Sequence, residues 1–335
     1  MSMIDVQNLV KSFPIKKHRG GALGSLTSLF RGDNDGEFTA VNDITFSIER
    51  GEMVSYIGPN GAGKSTTIKM LTGILVPSSG AASVAGLTPW DNRKQLAQKI
   101  GVVFGQRTQL WWDLALIESL ELLRHMYRVP EDRFRENLAT ATELLGLDAF
   151  IRTPVRQLSL GQRMRGDLAA ALLHDPEILY LDEPTIGLDI VAKSAIRDFL
   201  STLNRERRTT VLLTTHDLDD IEQLCPRIMV IDHGQVMYDG ALQTLKSRWG
   251  GRRRLIVDFA TDPDEDILTM GNGDIAVTDI DGPRVTIAFD SEAVTAPEVL
   301  TRAGAFGDVR DMSLQEPDIE DVIRRMYAGT IPHGI

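Results

Sequence analysis

A chain of 335 residues is long enough for two domains, and an apolar fraction of 42% allows a sizeable core. The formal charge of −11 argues against a generic nucleic-acid binder, which would need a basic face. Cys225 is the single cysteine, so no intramolecular disulfide framework exists, a reducing compartment fits, and the residue reads as a small buried hydrophobe. Met1 to Val10 lacks the pattern of a secretory leader, and no uncharged apolar run of about 18 residues occurs. If the protein works at a membrane, another subunit must supply the spanning helices.

In chain order, Ile4 to Val10 alternates like an edge strand that Phe13 closes. Residues 14–38 read as a flexible surface insertion, in which Leu23, Leu26, Leu29 and Phe30 share a helical face. Val41 to Ile48 is a second strand. Met53 to Ile57 is a buried strand, and Thr67 to Leu75 has helical spacing. Ile100 to Phe104 is another strand. Ile117 to Arg128 and Arg133 to Leu147 read as helices, Pro154 breaks the run, and a third helix spans Leu160 to His174. Ile178 to Asp182 and Thr210 to Thr215 are apolar strands flanking a helix from Val191 to Asn204, followed by a hairpin around Asp232-His233-Gly234. Alternating strands and helices call for a parallel sheet with helical cover.

A composition shift near Trp249 marks a boundary: residues 251–335 hold 17 Asp or Glu against 8 Arg, a balance of −9. Strands at 255–259, 275–280, 284–289 and 306–314 with helices at 263–270 and 293–303 give a βαββαβ order, which suggests a ferredoxin-like sandwich. A final helix carries Ile319, Val322, Ile323 and Met326 on one face.

The chemistry gathers at strand ends. Gly58-Pro59-Asn60-Gly61-Ala62-Gly63-Lys64-Ser65-Thr66 has the spacing of a phosphate-binding loop and lies between a strand and a helix. Glycines there let backbone N–H groups turn toward a polyphosphate. Lys64 suits the β and γ phosphates, Ser65 suits Mg²⁺, and Thr66 suits an inner phosphate. Tyr180-Leu181-Asp182-Glu183-Pro184 closes a core strand on two acids, Asp182 for the magnesium shell and Glu183 for the attacking water. Ser159, Gly161 and Gln162 open a helix and form a second anion site. Gln106 follows a strand, where an amide can contact Mg²⁺ or water. His216 ends another strand, where its imidazole can reach the γ-phosphate.

Together these residues resemble the ATP-binding-cassette ATPases, over about residues 3–245. The resemblance implies a P-loop NTPase core of α/β class with an antiparallel β subdomain and a helical subdomain (about 107–175), then a small α+β domain over 251–335. It implies that ATP and Mg²⁺ are bound, and that two copies pack head to tail so that each ATP lies between one phosphate loop and the opposite 158–162 segment. It makes Gly187-Leu188-Asp189 the dimer-contact loop, His216 the switch histidine, Gln106 the glutamine loop and Phe13 the adenine-stacking aromatic. Two departures stand out: Leu160 replaces the usual glycine, and Pro226 stands where aspartate is common. A single cassette without fused helices implies separate permease subunits at the cytoplasmic face of the cell membrane, and no nucleic acid. Val103-Phe104-Gly105-Gln106 and the ending Glu316-Pro317-Asp318-Ile319-Glu320-Asp321-Val322 are similar to the drug, antibiotic and lipid exporter branch. An importer ATPase and a soluble cassette acting on ribosomes or DNA are the alternatives. Trp111 and Trp112 lie where the family receives a permease, or else are core.

Overall fold

The protein was analysed as a computed structural model, which describes residues 2–15, 36–105, 107–249, 252–290, 293–315 and 319–328. The chain divides into two compact units, one ending at Gly240 and the other beginning at Ala241.

In the first unit, strand β1 (Ser2–Pro14) pairs antiparallel with β2 (Glu37–Glu49). Both strands run further into 14–38 than the sequence pattern indicates. Strand β3 (Met53–Ile57) leads into helix α1 (Lys64–Leu71), and β4 (Ser79–Val84) pairs with the free side of β1. The first strand is therefore central in a three-stranded sheet, not an edge. The missing partner, Ser-Gly-Ala-Ala-Ser-Val, is poor in strand-forming residues and gives no alternation to read.

Helix α2 (Arg93–Ala97) precedes β5 (Ile100–Phe104), and α3 (Leu116–Tyr127), α4 (Glu131–Leu145) and α5 (Leu160–Leu172) follow. These three helices bury Leu116, Leu120, Leu123, Phe134, Leu145 and Leu168 in one core. Then come β6 (Ile178–Asp182), α6 (Ile190–Arg207), β7 (Thr210–Thr214), α7 (Leu218–Leu224), β8 (Arg227–Asp232) and β9 (Gln235–Ala241). The main sheet runs β5-β6-β7-β3-β8-β9, with its first five strands parallel.

Continuous apolar strands arise because both faces of this sheet are covered. Leu179, Leu181, Val211 and Leu213 face the cluster that holds the helical core, while Ile178, Tyr180, Leu212 and Tyr56 face the one that includes β1, β2 and α1. Phe104, Asp182 and Thr214 lie in one row across β5, β6 and β7. The segments that follow these strands therefore emerge side by side at the carboxyl edge of the sheet, where parallel sheets place ligand sites.

The second unit begins with α8 (Leu242–Trp249) and contains β10 (Arg253–Phe259), a six-residue 3-10 helix (Glu265–Met270), β11 (Ile275–Asp281), β12 (Arg284–Phe289), α9 (Ala296–Ala303), β13 (Val309–Gln315) and α10 (Ile319–Tyr327). Its sheet is antiparallel in the order β11-β12-β10-β13. The βαββαβ succession is present, with the first helix wound as 3-10. Alternation supplies the core: Leu255, Val257 and Phe259 meet Val285, Ile287, Phe289, Ile267 and Val299.

Candidate functional site

The turn from β3 into α1 is shaped by close approach. A Cβ at Gly58 would sit 2.5 Å from the Ile231 carbonyl oxygen, and one at Gly63 would collide with that of Ala40. Gly63 caps α1 at φ 104°, and Gly61 has φ 89°, conformations that side chains strain. Thr67 locks the first turn: its N–H and hydroxyl donate to the Gly63 carbonyl at 2.9 and 3.1 Å. Lys64 folds back, its Nζ donating to the carbonyls of Gly58 and, at 3.2 Å, Pro59. Burial holds its pKa below the usual lysine value, against the opposing pull of Glu183 and Asp182.

Both oxygens of Asp182 are engaged. Ser65 Oγ donates to Oδ2 at 3.0 Å and Thr214 Oγ1 donates to Oδ1 at 2.6 Å. Glu183 follows in a left-handed conformation, φ 57°, that is costly for a residue with a side chain. Neighbouring strands hold it there: its N–H donates to Thr214 O at 2.9 Å, while the Gly105 N–H donates to Asp182 O at 2.7 Å. Any Cβ at Gly105 would strike the Glu183 carbonyl. Glu183 Oε2 lies 2.6 Å from Nδ1 of His216, whose ring is otherwise exposed. Burial pushes the Glu183 carboxyl above the ordinary glutamate value, and His216 and Lys64 pull it back down.

Several of these groups border a cavity of about 540 Å³, while Gly58 and His216 are not among its lining residues. Asn60, Gly61, Gly63, Lys64, Ser65, Thr66, Asp182 and Glu183 line it, as the sequence pattern indicates. So do Phe38, Lys69, Ile74 and Arg107, which sequence reasoning missed. Phe38 and Ile74 are half exposed, a signal visible only in three dimensions. Phe13 is not among the lining residues; it lies opposite Phe38 in the β1–β2 register. Gln106 and residues 16–35 and 316–318 fall outside the described residues, so the glutamine, the apolar 23–30 segment and the start of the C-terminal motif are not placed.

The residues that the sequence suggests as a second anion site stand apart from the cavity. Ser159 caps α5, its Oγ accepting from Gln162 N at 3.2 Å while its own N–H donates to Gln162 Oε1 at 2.9 Å. Asp189 caps α6, accepting from Ala192 N at 2.8 Å. A Cβ at Gly161 would be 3.1 Å from that of Ala192, so the two helix starts pack together. Leu160, at the unusual position, would lie 3.1 Å from a Cβ on Gly187. None of Ser159, Gly161, Gln162 or Asp189 lines the cavity. Trp111 and Trp112 are exposed, not core.

Comparison with known proteins identifies the fold and its chemistry. The family model described as ABC transporter matches residues 41–186. The linearmycin resistance ATP-binding protein of Bacillus subtilis (strain 168) is 31% identical over 302 residues, 88% of this chain and 96% of that protein. The chain is an ATP-binding-cassette ATPase. The cassette is also 34% identical to the daunorubicin resistance ATP-binding protein of Streptomyces coeruleorubidus, across 85% of this chain and 86% of that one. A methionine import ATP-binding protein of Ralstonia nicotianae is 32% identical, across 82% and 75%. Among solved structures, a dimeric ATP-binding cassette in a post-hydrolysis state with ADP and Pi matches with TM-score 0.60 and 27% identity, covering 72% of this chain and 99% of its own. The cassette is thus the ATP-hydrolysing, nucleotide-binding subunit of a transporter. No helix among its described residues is long and apolar enough to cross a membrane.

The residues present fit a magnesium nucleotide. Close approaches leave no room for a side chain at Gly58 or Gly63, Lys64 has Nζ at the loop carbonyls, and Ser65 and Asp182 already touch. A hydroxyl and a carboxylate, completed by phosphate oxygens and water, are the ligands Mg²⁺ ordinarily takes.

Proposed function

We propose that this subunit works at the cytoplasmic face of the cell membrane, where two copies close head to tail on ATP and drive a separate permease to export a drug-like or lipid-like substrate. One observation carries the dimer: the cavity holds the phosphate loop, Asp182 and Glu183 but no residue of 158–162. A second copy would supply Ser159, Gly161 and Gln162 at the exposed phosphates, with Asp189 beside them. Export is supported by the similarity to two drug-resistance proteins across 85–88% of the chain.

Within each half, Lys64 would exchange its loop carbonyls for β and γ phosphate oxygens. Phe38, which lines the cavity and is the strand partner of Phe13, would flank the base, and the N–H groups of 60–66 would cradle the phosphates. Ser65, Asp182 and Gln106 would hold Mg²⁺, which neutralises charge developing on the phosphates when bound. Glu183, nearer neutrality than an exposed glutamate, would orient the attacking water and take its proton, with His216 fixing the carboxylate and reaching the γ-phosphate.

The similarity to a methionine import protein supports the opposite direction as a second reading. Tagged chain purified from detergent-solubilised membranes should bring a polytopic membrane protein with it, and inverted vesicles carrying the pair should accumulate an amphiphilic substrate on ATP addition. Recovery with ribosomes alone would overturn the transporter reading; ATP-dependent loss from preloaded inverted vesicles would reverse the direction.

A further inference from the structure

The segments that carry Glu183 and His216 share a further carboxylate, that of Asp220 in helix α7, which is fully buried. Burying a carboxylate is costly unless donors and an opposite charge answer it, and here they come from three elements. Thr185 Oγ1, two residues beyond Glu183, donates to Asp220 Oδ2 at 2.5 Å. Thr215 Oγ1, one residue before His216, donates to the same oxygen at 3.4 Å. From helix α6, Arg197 Nε forms an ion pair with Oδ1 at 2.9 Å. Asp217, which caps α7 by accepting from the Asp220 N–H at 3.4 Å, is itself ion-paired with Lys193, one turn earlier on α6.

Asp220 does not line the cavity and is closed to solvent, so it has no access to substrate. It touches instead the two turns that bring Glu183 and His216 together. Those side chains meet at 2.6 Å where β6 and β7 end side by side. The left-handed backbone of Glu183, φ 57°, persists only if its surroundings impose it. The Glu183 N–H bond to Thr214 O secures the strand end. Beyond that point the buried Thr185 and Thr215 converge on one oxygen of Asp220, so the chain after the base and the chain before the imidazole are tied to a common acceptor.

We propose that Asp220 is a positioning residue, which holds the Glu183 carboxylate and the His216 imidazole in contact by accepting from Thr185 and Thr215, while Arg197 anchors its other oxygen to α6. This deepens the assignment of Glu183 and His216 to hydrolysis given above and rests on it. Loss of the tie leaves Lys64, Ser65 and Asp182 in place, so nucleotide binding persists, but it lets the base and the imidazole drift apart.

The test is steady-state ATPase kinetics of the full-length chain. T185V, which removes the stronger donor with little change of shape, should lower kcat roughly tenfold while KM for ATP stays within about twofold, since small misplacements of positioned groups are costly. T185S, which keeps the hydroxyl, should restore kcat to near wild type. D220A should fall at least as far as T185V, and T185V decides the matter if D220A does not fold. Because the tie acts through the Glu183–His216 contact, adding T185V to H216A should lower kcat by no more than about twofold beyond H216A alone, whereas independent effects would multiply. Wild-type kcat in T185V, a T185S as impaired as T185V, or losses that multiply in the double variant would overturn the proposal. E183Q and H216A separate the two layers: if either retains wild-type kcat, the assignment beneath the proposal fails; if both are impaired while T185V is not, only the tie fails.

Discussion

Glu183 sits between two opposing influences. Burial lifts its pKa, and the imidazole 2.6 Å away lowers it. On the proposed assignment of Glu183 as the base, it must be ionised to act, so the acid side of the ATPase pH profile should report on this carboxyl. Removing the lowering partner raises the pKa further. H216A should therefore cut kcat, by roughly a hundredfold if a phosphate donor is lost as well, and shift the acid limb of the residual activity to higher pH. A pH–rate profile with an unmoved acid limb would show that the His216–Glu183 contact does not tune the base. The residues of this site were legible in sequence where chemistry and backbone demand coincide: the glycines, Lys64, Ser65 and the two acids follow one another at fixed spacing. Phe38, Ile74 and Arg107 were not, because they reach the cavity only through strand pairing and chain reversal, and a single exposed apolar residue carries no local signature.

Among the elements, β3, β6 and β7 could be read directly, since burial on both faces leaves uninterrupted aliphatic runs. Strand β4 and the short helices α2 and α7 could not: the first is small residues held by pairing with β1, and five to seven residues give too little periodicity. Helix α5 was visible from its cap and spacing, yet its buried Asp167 looks like any polar helix residue until Thr108 Oγ1 and the Gln109 N–H are seen donating to it, at 2.9 and 3.0 Å. Burial pushes that carboxyl up to about 6, against the lowering effects of its two donors and Arg163. A folded pKa above the unfolded one means the native state binds the extra proton between about pH 6 and pH 4. Above that window the ionised group costs stability, by up to about 3 kcal/mol for a shift of this size; acidification through it restores the loss. D167N lacks the cost, so its melting temperature should exceed the wild-type value at pH 8 and the gap should narrow toward pH 5. A gap independent of pH would show that Asp167 does not titrate in this range.

For the whole molecule, the separation of the Ser159 helix start from the cavity makes dimerisation and catalysis one question. E183Q keeps the shape of the base but not its charge, so ATP should accumulate unhydrolysed and hold two copies together. Size-exclusion chromatography with multi-angle light scattering should then show a dimer in ATP that K64A in the same background abolishes. A monomer in ATP would remove the basis for shared sites.

At the rim of the cavity, β1 and β2 zip up as far as Pro14 opposite Glu37, and the Ile15 N–H donates to Gly36 O at 2.8 Å. The intervening residues thus enter and leave the cassette through a single closed ladder, with Phe38 one residue inside it on the nucleotide wall. A fluorophore or small reporter domain spliced between 16 and 35 would be attached through this ladder, two strand residues from Phe38 on the cavity wall. A signal that changes on ATP addition, and that K64A abolishes, would report occupancy without a label on any residue assigned to the chemistry.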